Sequence, residues 1–223
     1  MNVAVLITGG KDSALALHRA LKQDYKVKYL VAMFPEREDS WMFHYPNIHM
    51  TEFFAEAAEI PLIKGKTAGI KEKEVEDLKN LLADLDVEGV VSGAVASKYQ
   101  KARIDNVCRQ LGLKSIAPLW GEKPEKLLRE LLENDFEVII VGVYALGFSQ
   151  EWLGRRINEE TVQELLKLRE KYGISPIGEG GEYESLVLDA PYFKRRIQIL
   201  ETEKVWRENQ GYLLVKKARL VWK

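Results

Sequence analysis

An apolar run, Val3-Ala4-Val5-Leu6-Ile7, passes through Thr8-Gly9-Gly10 directly into a segment whose apolar residues, Ala14, Leu15, Leu17, Ala20 and Leu21, recur at helical spacing. A strand, a tight glycine turn and a helix N-terminus in immediate succession make an anion site. Gly9 and Gly10 let the main chain come close to a ligand. The first helical turn aims unpaired N–H groups and a partial positive charge at the same point. Thr8 and Ser13 add hydroxyls, Lys11 adds a full charge, and Asp12 adds a carboxylate suited to a hydrated magnesium ion. A bare helix cap at Asp12 or Ser13 explains less, because a cap does not require two glycines and a lysine.

The pattern repeats along the first half. Apolar strands are expected at 2–7, Val27 to Phe34, Pro61 to Ile63, Gly89 to Ser92 and around Ile116. Helices are expected at 13–23, after Asn47 as its cap, at 70–85 and at Lys98 to Leu111. Strands joined by helical crossovers form a parallel sheet covered on both faces, with ligands at the carboxyl ends of the strands. Pro118, Gly121 and Pro124 mark a boundary. Beyond it come a leucine-rich helix, the apolar strand Val138 to Val143, a helix over Glu159 to Tyr172 ending near Gly173, and a strand-rich tail. Asn209-Gln210-Gly211 is expected to turn between the last two strands. The expected fold is therefore α/β: a doubly wound parallel sheet in domain 1–122 and a smaller α+β domain in 123–223.

Lys plus Arg (33) and Asp plus Glu (34) nearly cancel, so no overall field recruits nucleic acid or an acidic membrane. The single cysteine, Cys108, cannot form an internal disulfide, lies on an apolar helix face and fits a reducing compartment. No apolar run reaches membrane-spanning length, and no charged leader precedes the first strand, so a cytoplasmic location is expected. A homodimer stays open.

The turn is not the common phosphate loop, which needs a glycine where Val5 stands and Ser or Thr where Asp12 stands. Thr8-Gly9-Gly10-Lys11-Asp12-Ser13 resembles instead the pyrophosphate loop of the N-type ATP pyrophosphatases, with Thr8 in place of the usual serine. A second cluster, Gly178-Glu179-Gly180-Gly181-Glu182-Tyr183-Glu184, precedes a strong apolar strand and sets three glutamates among three glycines. Glu182 and Glu184 have period-two spacing and are expected to project to one side of an extended segment.

These two motifs occur in order with Ser92-Gly93-Ala94-Val95-Ala96-Ser97-Lys98-Tyr99-Gln100-Lys101-Ala102-Arg103, with Ala117-Pro118-Leu119-Trp120 and with Trp152-Leu153-Gly154. Over essentially the whole chain this resembles the diphthine–ammonia ligase family, in its short form. The resemblance implies an AMP-forming ligase that adenylates the carboxylate of diphthine on elongation factor 2 and transfers ammonia, with ATP and magnesium.

Lys11, Asp12 and Ser13 are then expected to serve pyrophosphate release, with Asp12 as the metal anchor. Thr8, Gly9, Gly10, Met33, Phe34, Gly93 and Ala94 are expected around the nucleotide, and Arg103 near a phosphate or the acceptor carboxylate. Glu182 and Glu184 are expected to attract ammonium and accept its proton. Tyr99, Gln100, Glu179, Gly180, Gly181 and Tyr183 are expected about the acceptor. Aromatic candidates for a quaternary ammonium are Trp41, Tyr45, Tyr99 and Tyr183, and His44 and His49 are candidate proton shuttles. The alternatives from other classes are an adenylating enzyme acting on tRNA and an ATP-binding module without chemistry. Cys108 alone does not supply thiolation, and a sensor needs no second acidic cluster.

Overall fold

The structure, a computed structural model, describes residues 1–35, 47–68 and 71–223. It divides into two compact units, Met1–Trp120 and Gly121–Lys223. The first unit alternates β1 (Asn2–Leu6), α1 (Lys11–Lys22), β2 (Lys26–Pro35), α2 (Met50–Ala58), β3 (Leu62–Thr67), α3 (Lys71–Ala83), β4 (Gly89–Val91), α4 (Lys98–Leu111) and β5 (Lys114–Ile116). The five strands run in the order β3-β2-β1-β4-β5, and every neighbouring pair is parallel. The chain works outward from β1 to β3, then crosses back to lay β4 on the other side of β1. The strand order therefore reverses between β1 and β4, which is where sheets of this kind open a crevice at their carboxyl ends.

Alternation along the strands sends Ala4, Val31, Met33 and Val90 into one core layer with Leu78, Leu82, Ile104, Val107 and Cys108 from α3 and α4. Burying a leucine such as Leu78 stabilises by about 2–3 kcal/mol. Met33 belongs to this layer. Its Sδ occupies the space over Gly65, where an added Cβ would lie 2.5 Å away. The edge strand β3 exposes Lys64 and Lys66, charges that discourage pairing with another chain.

The second unit holds α5 (Pro124–Glu133), β6 (Glu137–Val143), a 3₁₀ turn (Gln150–Trp152), α6 (Glu159–Tyr172), β7 (Tyr183–Asp189), β8 (Arg195–Arg207) and β9 (Gln210–Trp222). Its sheet has the order β7-β6-β9-β8 and is antiparallel at each pairing. β6 is buried almost throughout. One edge pairs with β7. The other is shared: Gly142 and Val143 meet β9, while Val138 accepts from Ile157 N–H and Ile140 exchanges bonds with Gly154 and Arg155. Trp152-Leu153-Gly154 thus acts as the corner that brings the chain back along β6.

Two expected local features are corrected. Asn47 is not the cap of α2. The helix begins at Met50, and His49 in the cap position has φ −60°, already helical. Asn47 offers its carbonyl to Met50 N–H at 2.9 Å, and the Thr51 hydroxyl donates to the Ile48 carbonyl, so a preceding turn satisfies the helix end. The last hairpin reverses at Glu208 and Asn209, with Arg207 opposite Gln210, one residue earlier than the glycine suggests. Gly211 lies inside β9 opposite Trp206, and the position takes glycine because a Cβ there would fall 2.4 Å from the Val205 carbonyl oxygen.

Cys108 is 1% exposed, and burial pushes its thiol up to about 11. A thiol so placed stays protonated and shielded at pH 8. The folded protein should therefore give no reaction with a thiol-titrating disulfide reagent at that pH, and one equivalent after denaturation. Prompt labelling of the native protein would contradict this placement.

Candidate active site

The β1–α1 turn is held by a closed ring of hydrogen bonds. The Ser13 hydroxyl donates to the Gly10 carbonyl at 3.0 Å. That uses its one proton, so the Thr8 hydroxyl, 3.3 Å away, donates to Ser13 Oγ. Gly10 N–H in turn donates to Thr8 Oγ1 at 3.4 Å, and Thr8 N–H reaches Ser13 Oγ at 3.3 Å. Thr8 and Ser13 were expected as donors to phosphate, but their protons are engaged in fixing the shape of the turn. Gly9 adopts φ +83°, which permits the sharp entry, and Gly10 stands as cap of α1 with no side-chain partner. Neither Asp12 nor Ser13 is the cap. Anion-facing capacity therefore rests on the main chain and dipole of the first helical turn.

Lys11 is 3% exposed, and its Nζ lies 2.9 Å from Asp12 Oδ2. The lysine thus supplies buried positive charge beneath the turn, balanced by a carboxylate that remains 30% exposed. Beside them stands Gly93, just past β4. A Cβ at 93 would lie 2.7 Å from Ser13 N and 2.8 Å from Asp12 C. These are backbone atoms and cannot swing aside. Gly93 is therefore a packing requirement that lets α1 close on β4, while Ala94 beside it is buried.

The remaining expected residues of this unit are distributed along the same sheet edge and the start of α4. Met33, expected beside the nucleotide, sends its side chain into the core layer, which leaves its main chain at the end of β2. Phe34 lies on the opposite face, with Lys64 Nζ 5.9 Å from its ring. Ser97 caps α4 by accepting from Gln100 N–H at 3.3 Å, so the Gln100 main chain serves the helix. Lys98 is exposed. Arg103 stacks on Tyr99 with its guanidinium carbon 3.4 Å from the ring centroid, and Lys101 lies 5.4 Å from the Trp120 ring. His49 sits at the start of α2. Trp41, His44 and Tyr45 lie outside the described residues.

In the second unit the acidic glycine loop is fastened by its own side chains. Glu182 turns back on the loop: Oε1 accepts from Ser175 N–H and Oε2 from Gly180 N–H, both at 2.8 Å. Its carboxylate covers the Gly180 Cα so closely that a Cβ there would meet Oε1 at 2.8 Å. Glu182 precedes β7 and does not share the extended geometry expected to align it with Glu184. Tyr183 is 3% exposed and donates from its hydroxyl to the Pro176 carbonyl at 2.9 Å. Its ring closes over Gly178, and Phe148 packs 6.0 Å away. Tyr183 is thus an anchor of the loop rather than an acceptor contact. Glu179 is half-buried, and Gly180 and Gly181 are exposed at the tip. Glu184 lies on β7, with the Tyr144 hydroxyl 3.4 Å from its Oε2.

Sequence reasoning passed over Ser175 and Tyr144. The signal for Tyr144 was Gly142, a glycine inside an otherwise apolar strand, which marks a close approach. Tyr144 is 37% exposed, yet its hydroxyl end packs over Gly142. Burial, and then the charge of Glu184, push the phenol well above its ordinary range. It stays protonated and can donate.

A parallel sheet reversing at β1 and β4, with a glycine turn opening α1 at that point, defines an α/β protein of the doubly wound class. The model for the diphthamide synthase N-terminal domain matches residues 1–115, and that for the C-terminal domain matches 123–221. The diphthine–ammonia ligase of Rattus norvegicus is 35% identical over 99% of this chain and 91% of its own. The human protein of that name matches to the same extent. The Schizosaccharomyces pombe protein is 36% identical over 92% of this chain but only 37% of its own length. A solved structure described as a predicted subunit of a tRNA methyltransferase from Methanocaldococcus jannaschii covers 85% of this chain and 97% of its own, at 18% identity and a TM-score of 0.46. The chain belongs to the diphthine–ammonia ligase family.

Two substitutions test the geometry. Gly93→Ala should lower the unfolding free energy by about 1–3 kcal/mol in a denaturant titration, the cost of overpacking against fixed backbone; unchanged stability would show that α1 does not close on β4 as described. Glu182→Gln replaces one acceptor oxygen with an NH₂ group. Amide exchange at Ser175 or Gly180 should then accelerate about tenfold, the loss of one hydrogen bond to a charged group.

Proposed function

We propose that this protein is an ATP-dependent amide ligase that adenylates the carboxylate of diphthine on elongation factor 2 and transfers ammonia to it, giving diphthamide, AMP and pyrophosphate. Residues 1–122 are assigned to the nucleotide and 123–223 to the acceptor. Family membership supports the reaction, and the observation that carries it to particular residues is the self-bonded turn at the switch between β1 and β4.

A carboxylate does not react with ammonia at neutral pH, because its oxygens leave poorly. In the proposed first step a carboxylate oxygen attacks the α-phosphorus of ATP, and the bond from that phosphorus to the bridging oxygen of pyrophosphate breaks. The resulting acyl-adenylate has a good leaving group. Nitrogen of ammonia then adds to the carbonyl carbon, a proton is lost, and AMP departs.

The departing pyrophosphate gathers negative charge, and preorganised donors stabilise such charge better than water does. The first-turn main chain of α1 and buried Lys11 are suited to this. Thr8 and Ser13 keep the turn from relaxing, and Gly93 keeps α1 against β4. Asp12 fits a magnesium ion, since its carboxylate is partly exposed and such ions are held by one or two carboxylates together with substrate phosphates. When bound there, the ion would offset charge on the phosphates. Arg103, fixed by its stack on Tyr99, is suited to a phosphate or carboxylate. Among the described residues no helix is long and apolar enough to cross a membrane, and a translation factor as substrate supports action in the cytoplasm.

With ATP labelled at the α-phosphate, ammonium and diphthine-bearing elongation factor 2, the protein should release labelled AMP while mass spectrometry shows the amide. Asp12→Ala should lower AMP formation at least about a hundredfold and leave the circular dichroism unchanged. ADP as the product would rule out cleavage between the α and β phosphates, and with it the ligase.

A further inference from the structure

The segment Ala117-Pro118-Leu119-Trp120 leaves the carboxyl end of β5 and has no part in the reaction derived above, yet it is tied on several sides. It starts beside the crevice. Ser92 N–H donates to the Ile116 carbonyl at 2.9 Å, and the next residue of that strand end is Gly93, which abuts α1. Trp120 N–H donates back to the Ala117 carbonyl at 3.1 Å, and Leu119 inside that turn is buried. Arg19, in the last turn of α1, donates to the Pro118 carbonyl at 2.7 Å. From α4, the Lys101 ammonium stands 5.4 Å from the Trp120 ring centroid. Right-handed crossovers put α1 and α4 on opposite faces of the sheet, so the segment is tied to both helical layers.

Lys101 is itself fixed. Its ammonium meets Asp105 Oδ2 at 2.6 Å, and the other oxygen of Asp105 accepts from the Ser115 hydroxyl, on β5, at 2.7 Å. With all these tethers in place, the Trp120 residue still stays 36% exposed. Among the described residues of the first unit, the other large apolar side chain so exposed is Met1. An indole held at the ligand edge of a sheet and open to solvent offers a broad, rigid π-face at small entropic cost. Lys101 already sets a cation against that ring. A second cation would meet its repulsion, whereas a neutral planar ring would not.

Diphthine is a histidine whose added arm carries the carboxylate to be activated and a quaternary ammonium, so the acceptor brings both a planar ring and a cation. We propose that Trp120 is a specificity-determining residue that stacks on the imidazole ring of diphthine, and that Lys101 is a positioning residue that sets the indole. This rests on the ligase reading and uses groups of the first unit alone. The acceptor carboxylate has to reach the α-phosphorus beside the β1–α1 turn, and Trp120 receives the ring behind it. With the base of ATP toward the end of β2, the β5 side of that turn is left for the acceptor.

The test uses the full chain, with ATP, ammonium chloride and diphthine-bearing elongation factor 2 titrated separately and amide formation read by mass spectrometry. Trp120→Leu keeps an apolar side chain and removes the π-face. It should raise the acceptor KM about tenfold, the loss of one heteroaromatic stack, with the ATP and ammonium KM values and the circular dichroism unchanged. Trp120→Phe, which restores a ring, should recover most of that loss. Lys101→Met removes the charge and keeps the chain length; it should raise the acceptor KM about threefold by loosening the indole. A fall in that KM would mean that a cation occupies the ring, and would overturn the imidazole assignment. A rise in the ATP KM alone would make the indole an adenine platform and overturn the proposal too. So would equal losses in the leucine and phenylalanine variants. A wild-type protein that forms no amide sinks the ligase reading and this proposal with it, whereas wild-type turnover with unaltered Trp120→Leu kinetics removes this proposal alone.

Discussion

The first unit of this protein depends on how closely the first turn of α1 approaches the end of β4. Backbone meets backbone there across Gly93, with no room for a methyl group. That approach brings the helix N-terminus to the place where the strand order reverses. It also brings the first-turn N–H groups, which carry the positive end of the helix dipole, together with the buried Lys11 and the Asp12 carboxylate paired with it.

Rigidity is supplied separately from affinity. The hydroxyls of Thr8 and Ser13 close a ring through Gly10 and spend their protons inside the turn. The turn is thus shaped by its own hydrogen bonds. The acidic loop of the second unit follows the same logic with different chemistry. Glu182 gathers two backbone N–H groups and Tyr183 seals the base through the Pro176 carbonyl. In each motif conspicuous side chains hold the backbone in place.

Much of the architecture was legible because helical periods and caps are local. α4 and α6 fall where their apolar spacing and flanking residues put them, with Ser97 and Asn158 accepting first-turn N–H groups and Gly112 and Gly173 closing the other ends in the left-handed region. The features that escaped are those decided by distant partners. Asn47 looks like a cap, yet a turn ahead of α2 satisfies the helix end. Gly211 looks like a turn residue, yet it pairs with Trp206 within the last hairpin, and crowding by Val205 and Trp206 is what requires a glycine there. Met33 sits at the ligand edge by number, but alternation sends its side chain to α3 and α4.

By itself the sequence determined the parallel sheet, the turn that opens α1 and the family to which the chain belongs, because those follow from periodicity and from motifs written in contiguous residues. Only the tertiary structure decided which side chains of those motifs are spent on hydrogen bonds within the fold. Gly93 meets residues eighty positions earlier in the chain, and Gly142 meets Glu184 across a ladder. A hydroxyl or carboxylate has few hydrogen-bonding positions, and whether the fold has already used them is a matter of who stands beside it in space.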